Sequence, residues 1–213
     1  MARISPPPYT MPLTLPDDRI SHAWGKWISE AHQILLKSDV QLIVSKELDA
    51  DALITFTTGI NDRYSAYIIE LTNVVMSTSG EQLKLVTSRD AGVTWDVASA
   101  DYSWMYKLRD VTGTTVAEST VGSDASSAIP LTAADISVAS TSALSGSITI
   151  HYPTNDVTYK AVNSEVTYID TDSRLQMITC TGRLNKTAAI NAFKIFCATG
   201  RMTSGTISLY GRL

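Results

Sequence analysis

Ile190-Asn191-Ala192-Phe193-Lys194-Ile195-Phe196-Cys197-Ala198-Thr199-Gly200-Arg201-Met202-Thr203-Ser204-Gly205-Thr206-Ile207-Ser208-Leu209-Tyr210-Gly211-Arg212-Leu213 ends the sequence and decides its fold class. Phe193, Ile195 and Cys197 fall on one face of the first stretch. Ile207 and Leu209 alternate with Thr206, Ser208 and Tyr210. Side chains point to opposite sides of a strand in turn, so the spacing predicts two strands, each with one buried face. Gly200 and Gly205 flank the return, where positive φ angles are often required, and the segment reads as a hairpin.

The same period of two extends back to residue 38. Gln41–Lys46, Leu53–Thr57, Tyr64–Val75, Glu81–Ser88, Ile136–Ala139, Ser147–Tyr152, Val157–Val162, Glu165–Ile169 and Leu175–Thr181 are further expected strands. Tyr67, Ile69 and Leu71 share a face, as do Leu83, Leu85 and Thr87. Many short alternating strands separated by Gly, Asn, Asp and Ser predict an all-β antiparallel sandwich, jelly-roll-like in style. No fixed repeat points to a propeller or solenoid. Val111–Thr149, rich in Ser, Thr and Ala, fits a loose loop region or edge strands with small side chains.

Residues 1–37 differ. The first 16 residues hold five prolines and predict an extended arm. Asp17 or Asp18 can cap a helix in which Ile20, Trp24, Trp27, Ala31 and Ile34 form one stripe, widened by Ile28 and Leu35. So short a helix is marginal alone, so the stripe must be covered, by the chain's own β domain or by another chain. The expected domains are therefore 1–37, arm and helix, and 38–213, the sandwich.

Hydrophobic residues make up 44% and charged residues 18% of the 213, enough for a core and too little charge for general disorder. A net charge of −4 with scattered basic residues excludes an electrostatic clamp on nucleic acid. No apolar run is long enough to insert in a membrane, and the first residues lack a signal peptide's apolar stretch, so synthesis and assembly in a cytoplasm are expected. Cys180 and Cys197 are expected as buried free thiols, with a disulfide open only if their strands pair. His22, His32 and His151 have no neighbours at metal-ligand spacing, and no metal or cofactor is expected.

Ser88-Arg89-Asp90-Ala91-Gly92-Val93-Thr94-Trp95 matches the S-x-D-x-G-x-T-W pattern of the Asp-box, found in sialidases and other β proteins. Ser88, Asp90, Gly92, Thr94 and Trp95 are expected to brace a turn. A propeller sialidase carries several copies; a single one argues for a structural role. The acids Asp49, Asp51, Asp62, Asp124, Asp156, Asp170 and Asp172 fall mainly in expected turns, with no opposed pair for glycoside cleavage. There is no G-x-S-x-G elbow and no phosphate-binding glycine fingerprint, so no enzyme activity is expected. Tyr102, Trp104 and Tyr106 share one strand face: they either line the core or, with Trp95 and with Asp101 as hydroxyl acceptor, form a glycan platform.

The N-A-F-K-I-F…G-x-x-x-S-G-T-I-x-L-Y-G wording of residues 191–211 resembles the C-terminal segment of β-sandwich proteins of tailed-phage particles, the fibres, head spikes and other receptor-facing components. The Pro-and-Asp stretch before the Trp-containing helix is similar, more loosely, to the start of phage fibre proteins. The resemblance covers residues 64–95 and 147–213 best. It implies a non-enzymatic virion component, a fibre or spike that attaches to other virion proteins through residues 1–36, is homotrimeric and binds a host surface polysaccharide. A cellular carbohydrate-binding module and a capsid-decorating or tail connector protein without receptor role are the alternatives.

Overall fold

A computed structural model describes residues 23–28, 39–139 and 141–213 of the chain. The chain divides into two compact units between Gln41 and Leu42. In the first, residues 23–28 are helical. The rings of Trp24 and Trp27 meet edge to face at 5.7 Å, and Ile28 is 42% exposed. Ile20, Ala31 and Ile34, the other members of the expected stripe, lie outside the described residues, as do the proline-rich arm, His22 and His32.

The second unit is an antiparallel β-sandwich, the fold class expected from the alternation. In chain order the strands are β1 (Val40–Glu47), β2 (Leu53–Phe56), β3 (Ala66–Met76), β4 (Leu83–Ser88), β5 (Tyr102–Thr112), β6 (Thr115–Ser126), β7 (Ile129–Pro130), β8 (Leu144–His151), β9 (Lys160–Ile169), β10 (Leu175–Leu184), β11 (Ala192–Cys197) and β12 (Met202–Arg212). An eight-stranded sheet runs β1-β12-β3-β8-β9-β10-β5-β6, and a four-stranded sheet runs β2-β11-β4-β7. Their facing residues form one core: Tyr67, Ile69, Leu71, Ile148, Ile150, Val166, Ile178, Ile207 and Leu209 from the larger sheet meet Leu83, Leu85, Phe193 and Ile195 from the smaller. Tyr67 and Phe193 touch across the interface with ring centroids 5.9 Å apart. Burying each large side chain contributes roughly 1.5–3 kcal/mol.

The C-terminal segment is two strands, but it is not a hairpin. β11 pairs with β2 and β4, whereas β12 pairs with β3, so the connection at 198–201 arches from one sheet to the other. Both strands bury the face the alternation assigns, and facing says nothing about which neighbour completes the ladder. The arch is held by the buried Glu81 carboxylate, which accepts the N–H groups of Ala198 (2.6 Å) and Thr199 (3.1 Å) and the Thr199 hydroxyl (3.0 Å). Gly200 also donates to it. A Cβ at Gly200 would sit 2.8 Å from Glu81 Oε2, so this glycine permits a close approach and not a positive φ. Gly205 does have a positive φ, of 110°, within β12 at a register shift against β3.

Other boundaries moved as well. The expected strands Val157–Val162 and Glu165–Ile169 are joined in the single strand β9, which begins only at Lys160 and leaves 157–159 outside it, and Ile136–Ala139 supplies only bridges from Ile136 to Glu81 and Asp170. The Ser/Thr/Ala-rich region yields β6, an edge strand exposed along most of its length on both faces.

Candidate functional site

The Asp-box turn follows β4 and is built on two side chains. Ser88 Oγ accepts the N–H groups of Asp90 (3.2 Å) and Gly92 (2.9 Å) and donates to Asp90 Oδ1 (2.7 Å). Asp90 accepts the Thr94 N–H at 2.8 Å and the Thr94 hydroxyl at 2.6 Å. The Thr94 and Ser88 hydrogen bonds hold its carboxyl down at about 2. Ala91 and Gly92 take φ values of 57° and 85° to close the turn. Trp95 lies under the Lys194 ammonium, 4.5 Å from ring centroid to Nζ, on the side of β11 opposite Phe193 and Ile195. Behind the turn, buried Asp96 accepts from Arg89 (3.0 Å) and Lys186 (2.9 Å), and Lys186 also reaches Asp101 at 2.7 Å.

The five residues expected to form a glycan platform are not brought to one surface. Tyr102 is fully buried, and its phenol oxygen accepts the Thr87 N–H at 2.8 Å; burial pushes the phenol pKa up. It presents no ring face to a ligand. Asp101 is 6% exposed, bonded to the Ala98 N–H (2.9 Å) and paired with Lys186, so it is not a free hydroxyl acceptor. Trp104 and Tyr106 stack on one another at 5.4 Å with planes 3° apart, half-buried against the core. The buried Trp104 Nε1 has no hydrogen-bond partner. Trp95 sits apart, beside Lys194. The period of two correctly grouped Tyr102, Trp104 and Tyr106, but the face they share is the inner one. Rings of this size are retained where they fill the space between two sheets.

The opposite face of β5 is the open one. Ser103, Met105, Lys107 and Arg109 point outward from the larger sheet. A shallow trough of about 610 Å³ runs over this face between Ser103, Met105, Asp124, Ala161, Thr181 and Arg183. A second depression of about 360 Å³ shares Met105 and Thr181 with it and extends toward Lys107, Arg109 and Thr120. Sequence reasoning passed over these residues because none belongs to a motif. The signal was the complement of the aromatic row: if the rings point inward, Ser103 and Met105 point outward.

Compared with protein-family models, with curated proteins and with solved structures, the chain matches none.

Other ionisable groups are bonded within the sandwich. Asp170 accepts from Arg174 (2.7 Å), Gln176 (2.6 Å) and the Asp172 N–H (2.9 Å). Tyr168 donates to Asp135 at 2.9 Å, and burial raises the Asp135 carboxyl above the usual range. Lys160 is 1% exposed and donates to the carbonyls of Thr158 (2.7 Å) and Thr187; burial lowers its pKa. Cys180 and Cys197 are free and buried, one in each sheet, with both thiols pushed up by burial to about 12. A thiol with so raised a pKa is a poor nucleophile. Among the described residues no group of His, Cys, Asp or Glu is arranged to hold a metal ion, and no helix is long and apolar enough to cross a membrane.

Proposed function

We propose that this chain is a non-enzymatic structural component of a phage-like particle, a fibre or spike whose sandwich binds a host surface glycan and whose N-terminal segment joins it to other virion proteins. The observation that carries this reading is the union of the two stretches that resemble phage particle proteins. The Asp-box strand β4 is hydrogen-bonded along its length to β11 of the C-terminal segment, and Asn191 at the head of β11 bonds directly to the Asp-box turn. The two stretches form one framework in the folded chain, and that juxtaposition is what supports the reading.

The trough on the outer face of the larger sheet is the surface on which the glycan would lie, with the Asp124 carboxylate on one wall. The tryptophan pair of the helical segment supports attachment through residues 1–36, and three copies joined there would present three glycan sites. Several weak sites on one particle raise avidity by about 10² or more through effective concentration. Light scattering tests the assembly: the full-length protein is expected at three times the chain mass, and a version lacking residues 1–36 at one. Mass spectrometry of gradient-purified particles tests the location. Recovery of the chain with the particle proteins is expected; recovery only as free monomer would turn the reading toward a cellular carbohydrate-binding module.

A further inference from the structure

We propose that the trough on the outer face of the larger sheet is a site for a neutral polysaccharide, with Arg183 and Asp124 bonding sugar hydroxyls from opposite sides and Met105 carrying the apolar face of a ring. This rests on the glycan-binding part of the function proposed above, and it places the site across β5 from the inward-facing aromatic row.

The ladder register lays the residues out as a grid. One row reads Ala161, Arg183, Ser103 across β9, β10 and β5. The next reads Asn163, Thr181, Met105, Gly122 and includes β6. Neighbouring strands lie about 4.8 Å apart, so Arg183 and Asp124, two strands apart, are separated by roughly 10 Å at the backbone. That leaves room for a sugar ring between them.

The Arg183 guanidinium and the backbone beneath Asp124 are fixed before any ligand arrives. Arg183 lies 4.9 Å over the Tyr159 ring and donates from Nε to Asn185 Oδ1 at 3.0 Å, which sets the plane of its guanidinium. Opposite, the pairing of β5 with β6 slips: Tyr102 faces Ser126 and Trp104 faces Ser123, so Ser103 has two residues, Asp124 and Ala125, against it. Such a bulge bends a strand and re-aims its side chains. The bulge is pinned by Ser103 Oγ, which lies 3.0 Å from the Asp124 carbonyl. Sites fixed in this way lose less on binding to the ordering of side chains.

The floor has the matching chemistry. Met105 is 61% exposed, and its neighbours Gly122, Ala161, Thr181 and Gly182 are all small. An adaptable thioether surrounded by small residues is a flat apolar patch. A pyranose offers the same combination in complement: C–H groups on its face and hydroxyls, each both donor and acceptor, on its edge. Arg183 can only donate and an ionised Asp124 can only accept, so the pair reads hydroxyls and not a single charge. With one cation and one anion at the trough walls, a neutral saccharide fits better than an acidic one.

Affinity electrophoresis of the full-length protein through gels containing dextran, galactomannan or glucomannan, with alginate as the acidic comparison, tests this. Retardation by at least one neutral polysaccharide is expected and none by alginate. Arg183→Ala, Asp124→Ala and Met105→Asp should each weaken it about tenfold or more. Arg183→Lys, which keeps the charge and loses the planar fork, should weaken it too, while Val157→Ser, an exposed change outside the trough, should not. A melting curve for each variant accompanies the gels, and any that unfolds is replaced by its milder counterpart, Asp124→Asn or Met105→Ser. Retardation unchanged in all the trough variants would overturn this site and leave glycan binding elsewhere standing. Retardation by alginate alone would overturn the neutral ligand. No retardation in any gel would overturn both the site and the glycan-binding part of the proposed function.

Discussion

Asn191 grips the Asp-box turn at Arg89: its Nδ2 donates to the Arg89 carbonyl at 3.1 Å, while its Oδ1 accepts the Ala91 N–H at 2.7 Å. The two residues are 102 positions apart in sequence, so one side chain couples the turn after β4 to the start of β11. Both bonds go to backbone groups that the turn itself does not satisfy. Asn191→Ala is expected to lower unfolding stability by about 1–2 kcal/mol, measured by urea denaturation, with the slope of the transition unchanged.

Asp90 gives the turn a pH dependence of defined sign. Its carboxyl is held at about 2 in the folded chain by the Thr94 and Ser88 hydrogen bonds, below its ordinary value of 3.8. A depressed acid binds more protons unfolded than folded. Its contribution is therefore complete above roughly pH 4–5 and is lost as pH falls toward 2. Asp90→Asn should lower Tm at pH 7, and the gap between variant and parent should shrink progressively below pH 4. A gap that is constant from pH 7 to pH 2 would show that the charge is not involved.

Glu81 should matter more, because it is buried. Burial alone would raise its carboxyl, but backbone hydrogen bonds from Gln82, Gly200 and Thr199, with the Thr199 hydroxyl, outweigh burial and hold it below the usual range. Glu81→Gln replaces one acceptor oxygen by a donor facing N–H groups of the arch. A loss of about 2–3 kcal/mol is expected by denaturant titration at pH 7. The contribution of the carboxylate is fully present above its unfolded pKa, near 4.5, and falls away in acid.

Trp104 separates the inward aromatic row from a ligand platform. Stacked on Tyr106 and packed against the core, it should cost about 3 kcal/mol when cut to alanine, visible as a lowered melting temperature. A Trp104→Ala protein with parental stability would return the ring to the surface.

Strand existence was legible because alternation is a local signal. Tyr67, Ile69 and Leu71 show it, and so do Phe193, Ile195 and Cys197. Sheet membership was not legible, since a strand's buried face is the same whichever partner lies beside it. For that reason residues 190–213 looked like a hairpin when β11 and β12 lie in different sheets. β6 gave no alternation at all, because a strand exposed on both faces has no face to mark. The Asp-box was visible as a motif, since its bonds lie within seven residues. The trough was invisible, since its walls come from β5, β6, β9 and β10 and meet only through the ladder register.

An electron cryomicroscopy map of the intact particle decides whether the chain is a spike or fibre. Density for the eight-plus-four-stranded sandwich is expected in copies of three, joined to neighbouring proteins through residues 1–36, with the Met105 trough turned away from the particle. A particle that carries no such density, or in which the trough is covered by another virion protein while residues 1–36 point into solvent, would contradict that reading.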